Sequence, residues 1–201
     1  MKQIKNIATV IFALTLLAFS PVKDGYKVGD IATDFELENI DNTMVSLSDF
    51  ESAKGFIVVF TCNTCPYAVA YEDRIQALNK KYAKKGYPVI AIMPNNTDIK
   101  PGDNLEAMKV RAEEKGFTFP YLIDKKQAVF PEYGATKTPH VYVLEKTDKG
   151  NVVRYIGAID NNYQDANAVT TKYVEDAVEA LLKGKQVETK TTKAIGCSIK
   201  V

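Results

Sequence analysis

The chain has 201 residues, 46% of them hydrophobic and 25% charged, with a formal net charge of +1. That length suits one domain with a full core, or one domain plus appendages. The balanced charge supplies no field favouring nucleic acid or an acidic membrane surface, and three cysteines are too few for a disulfide-stapled scaffold.

Lys2 and Lys5 precede an uncharged stretch from Ile7 to Ser20, rich in Ile, Val, Leu, Phe and Ala. A basic head before a short apolar run is the pattern of a secretory leader, and the run is short for a comfortable membrane span. Ala18 and Ser20 have the size and spacing of a cleavage site, while Pro21 disfavours a cut there. Residues 1–20 are therefore read as a signal peptide or an uncleaved N-terminal anchor. Either places the domain outside the cytoplasm, in a periplasmic or other extracytoplasmic space.

Asp34 to Leu47 alternates around Asp41-Asn42 and predicts a hairpin. The run Phe56 to Thr61 predicts a strand buried on both faces. From Pro66 to Lys85, Tyr71, Ile75, Leu78 and Tyr82 form one helical stripe, which Gly86 terminates. Tyr87 to Met93 predicts a second buried strand, and Pro94 to Gly102 a polar surface loop. Asp103 with Glu106 reads as a capping box, opening a helix with Leu105, Met108 and Ala112 inward and Gly116 behind it.

Phe117 to Ile123 predicts a third strand and Gln127 to Tyr133 a short helix. His140 to Leu144 pairs through the turn Asp148-Lys149-Gly150 with Val152 to Ile156. Thr170 or Thr171 caps a last helix with Val174, Ala177, Val178 and Leu181 inward and Gly184 behind it. The tail is polar until Ala194 to Ile199. The layout is a leader over 1–20, one domain over 26–184, and a tail over 185–201 carrying Cys197. Strands alternating with helices, then a terminal hairpin and helix, give an α/β class with a mixed sheet.

Cys62-Asn63-Thr64-Cys65 carries the chemistry. A strand, then C-x-x-C, then a helix is the setting of a redox dithiol. Thiolate is the nucleophile of disulfide exchange, and a helix N-terminus favours it through unpaired amides and partial positive charge. No basic side chain flanks the motif closely, so the helix end is expected to carry the activation. Cys62 is expected at the outer end of the turn, while Pro66 permits a helix that starts properly only there. A zinc site is disfavoured, because a second ligand pair is missing.

Strands Phe56–Thr61 and Tyr87–Met93 should run parallel through a crossover helix. An antiparallel strand from His140 then starts at the edge where both end, which brings Thr138-Pro139 beside Cys62. Cys197 is either a small hydrophobe in a terminal strand or a third redox thiol.

The element order together with Cys62-Asn63-Thr64-Cys65-Pro66-Tyr67 resembles the thioredoxin-like superfamily over residues 26–184. The N-terminal hairpin resembles its redoxin branch (alkyl hydroperoxide reductase/thiol-specific antioxidant). The motif and the ending Ile195-Gly196-Cys197-Ser198-Ile199-Lys200 look like an exported subgroup of it.

The resemblance implies a thioredoxin-like fold and a thiol–disulfide oxidoreductase in which Cys62 attacks and Cys65 resolves. It implies a cis Pro139, with Thr138 pairing to the backbone of a bound protein disulfide. It implies no organic cofactor or metal, and a membrane-linked thiol donor as the electron source.

Departures are visible. Phe56 stands where thioredoxin has a buried acid, and Val59, counted from Cys62, where peroxiredoxins have a threonine. A thiol peroxidase is therefore the alternative enzyme. A copper(I) carrier using Cys62, Cys65 and His140 is the alternative of another class.

Overall fold

The computed structural model describes residues 24–201, so the leader expected over 1–20 lies outside the described residues. The chain lays down β1 (Ile31–Ala32), β2 (Glu36–Asn39), β3 (Met44–Ser46), β4 (Gly55–Phe60), α1 (Pro66–Tyr82), β5 (Val89–Met93), α2 (Leu105–Lys115) and β6 (Tyr121–Ile123). It continues with α3 (Val129–Tyr133), β7 (Lys137–Thr138), β8 (His140–Thr147), β9 (Gly150–Gly157), α4 (Tyr173–Leu182) and β10 (Cys197–Ser198).

Among the described residues, eight strands form one mixed sheet in the order β1-β9-β8-β4-β5-β6-β2-β3. β4 and β5 run parallel, as do β5 and β6. β8 runs antiparallel to β4 with His140 opposite Phe60. The expected hairpin is β2 paired with β3, joined to the sheet through β6. This is the thioredoxin-like α/β arrangement.

The unbroken apolar runs of β4 and β5 follow from their central place, since every residue in both is buried. Alternation divides them between two cores. Ile57, Val59, Val89 and Ala91 face the α1 stripe of Tyr71, Ile75, Leu78 and Tyr82. Phe56, Val58, Phe60, Ile90 and Ile92 face Tyr133 and Tyr142 on the opposite side. Burying each large apolar side chain contributes roughly 1.5–3 kcal/mol, so this stripe fixes α1, and the turn before it, against the sheet.

Three local readings shift. The cap of α2 is Asn104, whose side chain accepts the Ala107 amide, so Asp103 stands one residue outside the helix. The cap position of α4 is Lys172, and the Thr170 and Thr171 amides donate instead to the Asn161 side chain. The third strand is confined to Tyr121–Ile123. Phe117 closes the end of α2 by donating to Ala112 O and stacks on Phe119, and Pro120 has no N–H for the ladder.

Arg74 on α1 clamps the segment after β9. Its guanidinium pairs with Asp160 at 2.7 Å, donates to the carbonyls of Asn162 and Tyr163, and covers the Tyr71 ring. From there the tail returns along the sheet. The Thr192 amide donates to Ile156 O at 3.0 Å, and Thr192 Oγ1 meets Tyr155 Oη at 2.5 Å.

Candidate active site

β4 ends at Phe60, and the chain turns through Thr61 to Cys65 before α1 begins. Pro66 takes the first helical position, where its missing N–H costs nothing. It holds Cys65 in an extended conformation (φ −85°, ψ 121°) as the N-cap. Both thiols are free, and each side chain is only 3% exposed.

The fold brings Cys62, Cys65, Thr138, Pro139 and Cys197 to one place. The Thr138-Pro139 peptide is cis. Thr138 Oγ1 lies 3.3 Å from Cys62 Sγ, and its carbonyl oxygen lies 3.1 Å from Cys65 Sγ. β10 pairs antiparallel with β7, setting Cys197 opposite Thr138. The Cys197 amide donates to Cys65 Sγ at 3.4 Å. Cys65 is thus the central sulfur, between Cys62 on one side and Cys197 on the other.

Asp103 is the site residue that sequence reasoning missed. It is fully buried, and its carboxylate collects four donors from the mouth of the site. The Asn63 and Thr64 amides reach Oδ1 at 2.9 and 3.0 Å, and Thr64 Oγ1 and Asn95 Nδ2 reach Oδ2 at 2.9 and 2.8 Å. Asn95 lies in the segment read as a plain surface loop, yet it is buried and also accepts the Lys200 amide at 2.9 Å. Tyr121 Oη fixes the Asn63 side chain at 3.0 Å. A buried carboxylate with four donors is a satisfied anion, and it lies close enough to act on Cys62.

These contacts act on the two sulfurs in opposite directions. Cys62 is raised well above an ordinary thiol, first because its S–H donates to Cys65, then by burial and the Asp103 charge. Cys65 is lowered to about 4, first by that S–H donor, with smaller help from the Cys197 thiol and from the Ala68 and Cys197 amides, against the opposing effect of burial. Ala68 sits in the first turn of α1, so the helix end reaches Cys65, while the Thr138 hydroxyl and the Cys65 amide lower Cys62 against its larger raising causes. The Asn63 and Thr64 amides serve Asp103, whose charge opposes the activation expected at Cys62.

His140 is buried, its Nδ1 accepts the Thr136 amide at 3.3 Å, and its ring packs against Tyr142. Burial lowers its pKa to about 4. Among the described residues, no three His, Cys, Asp or Glu side chains are grouped to hold a metal ion.

Comparison with known proteins adds family context. A model of the AhpC/TSA family matches residues 28–156. The thiol-disulfide oxidoreductase ResA of Oceanobacillus iheyensis is 30% identical over 146 residues, covering 69% of this chain and 70% of that protein. The crystal structure of an uncharacterized conserved protein from Geobacillus kaustophilus superposes with a TM-score of 0.80 at 34% identity, over 87% of this chain and 92% of that one. A putative thiol:disulfide interchange protein DsbE from Chlorobium tepidum shares the fold, with a TM-score of 0.53 at 24% identity over 65% of this chain and 84% of that one.

Proposed function

The chain belongs to the AhpC/TSA family, and from that premise we propose that Cys62 and Cys65 are the dithiol of a thiol–disulfide oxidoreductase acting on protein disulfides outside the cytoplasm. The observation that carries this reading is the pair of free thiols set beside the cis Thr138-Pro139 peptide, with Cys62 Sγ 3.3 Å from Thr138 Oγ1 and Cys65 Sγ 3.1 Å from the Thr138 carbonyl oxygen. The similarity to a protein named thiol-disulfide oxidoreductase supports the reaction class.

A target strand takes the place of the tail along β7, using the Thr138 backbone and leaving its side chains largely unread. A cysteine thiolate attacks one target sulfur, a mixed disulfide forms, and the target's other sulfur leaves as a thiolate that takes up a proton. The second cysteine then attacks the enzyme sulfur of the mixed disulfide. The target leaves reduced, and Cys62–Cys65 is left oxidised. A membrane-linked thiol donor returns it to the dithiol. No organic cofactor or metal takes part.

The family resemblance assigns the first attack to Cys62, whereas the position beside β7 favours Cys65. Cys65 Sγ lies 3.1 Å from the Thr138 carbonyl and faces the strand a target would occupy, so we take Cys65 as the opener and Cys62 as the resolver.

Trapping tests both points. Cys62→Ser should accumulate a mixed disulfide through Cys65 with a disulfide-bonded target. A trap found only with Cys65→Ser would return the attack to Cys62, and no trap with either variant would overturn the dithiol reading. Rapid peroxide consumption by the reduced protein, abolished in both variants, would favour the thiol peroxidase.

A further inference from the structure

Residues 195–200 run along the strand on which a target would dock. Cys197 faces Thr138 in antiparallel register, and the Ile199 amide donates to Thr136 O at 3.3 Å. Lys200 is held on both sides of its backbone. Its amide donates to Asn95 Oδ1 at 2.9 Å, and its carbonyl accepts Asn96 N at 2.8 Å and Gln127 Nε2 at 2.7 Å. Gly196 makes the close approach feasible, because a Cβ there would stand 2.1 Å from the Thr138 carbonyl oxygen. The tail is thus a built intramolecular strand in the target's place, and it sets a third sulfur against the hub of the pair.

We propose that Cys197 is a third redox thiol: once the target has left, the docked tail presents it to Cys65, it takes over the disulfide, and the Cys65–Cys197 bond locks the tail across the site. The inference rests on the dithiol reading above. The step balances within the chain. The Cys197 thiolate attacks Cys65 Sγ, the Cys62–Cys65 bond breaks as Cys65–Cys197 forms, and Cys62 leaves as a thiolate that takes up the proton Cys197 released. The target's disulfide supplies the only oxidant.

The local charge times the step. Cys197 is pushed up to about 11 by burial first, then by its bond to Cys65 and the charge on that sulfur. Oxidation of Cys65 to a neutral disulfide removes the last two causes, while Lys200 and Lys100 still favour the anion. Cys197 therefore ionises more readily when there is a disulfide to attack. A locked tail also closes the docking strand, so the oxidised protein passes its disulfide slowly to an extended target, while the half-buried Cys197 sulfur stays open to the thiol donor. The relay stabilises the oxidised chain, which favours reduction of the target.

The test oxidises the reduced chain with equimolar oxidised glutathione, quenches by alkylation, and maps peptides without reduction. Most wild-type chains should carry Cys65–Cys197 with Cys62 alkylated. Gly196→Ala, checked for an unchanged circular dichroism spectrum, should cut that linkage by at least about tenfold in favour of Cys62–Cys65, because the tethered thiol loses its effective concentration.

Oxidised Cys197→Ser should also oxidise reduced, unfolded ribonuclease at least about tenfold faster than oxidised wild type, since its docking strand stays open. If wild type shows only Cys62–Cys65 with Cys197 alkylated, and Cys197→Ser consumes oxidised glutathione equally fast, the relay is overturned and the dithiol stands. If no intrachain bond forms and no oxidised glutathione is consumed, the dithiol reading fails and the relay falls with it.

Discussion

The carboxylate of Asp103 receives the backbone amide of Asn63 at 2.9 Å, across 40 residues of chain. The neighbouring Thr64 amide is on the same oxygen, so these two amides serve the carboxylate, and Cys62 keeps the Thr138 hydroxyl and the Cys65 amide. The first sulfur of the motif therefore sits beside a negative charge, while the second belongs to the N-cap residue of α1.

Replacing that charge should change Cys62 first. Asp103→Asn removes the anion that helps raise Cys62, so its alkylation should begin at lower pH than in wild type. The amide nitrogen would face the Asn95 and Thr64 donors, costing about 1–3 kcal/mol of stability. Alkylation followed against pH, with urea unfolding alongside, measures both. An unchanged Cys62 profile in a folded variant rules out an electrostatic role for Asp103.

The reduced protein should gain stability from Cys65 as pH rises. Its thiol is lowered to about 4 from an ordinary 9.0, so between those values the unfolded chain holds a proton that the folded chain has shed. The gain starts near pH 4, is fully present above about pH 9, and is lost on acidification. Cys62 and Cys197 are raised and subtract stability at higher pH, where the unfolded thiols ionise first. Urea unfolding of reduced wild type against Cys65→Ala should show a gap widening from about pH 4 to about pH 8. A constant gap contradicts the assignment.

His140 should stay neutral across the physiological range. Burial lowers it to about 4, so its ring proton resonances should be flat between about pH 5 and pH 8. An inflection near pH 6.5 would show that the ring reaches solvent.

Arg74→Ala should separate stability from chemistry. It leaves the buried Asp160 carboxylate with Tyr71 Oη and the Asn162 amide, but without its cation. Losing one partner of such a pair costs about 3 kcal/mol. Urea unfolding should register that loss while the alkylation rates of Cys62 and Cys65 stay at wild-type values.

The frame was legible because its signals are local. The stripe Tyr71, Ile75, Leu78 and Tyr82 specifies α1, and the apolar runs around Val58 and Ala91 specify the two central strands. Parallel β4 and β5 with antiparallel β8 then fix Thr138-Pro139 at the sulfur edge.

What escaped is non-local. Asp103 and Asn104 are both good N-cap residues, and nothing nearby tells which one caps α2. The choice is made by the Asn63 and Thr64 amides, far away in sequence. Asn95 looks like loop composition until Lys200 and Asp103 close on it. β10 has only two residues, too few for any periodicity, so Cys197 could be placed against Thr138 only in three dimensions.

The tail's place in the chain has a consequence for biogenesis. Cys65 and the Cys197 amide that contacts it are 132 residues apart. At ordinary rates of synthesis that interval is on the order of ten seconds. In a chain exported while it is being made, an oxidant or isomerase met during that window would find the vicinal sulfurs before their cover has been translated, and the first disulfide would form without Cys197 to compete for it.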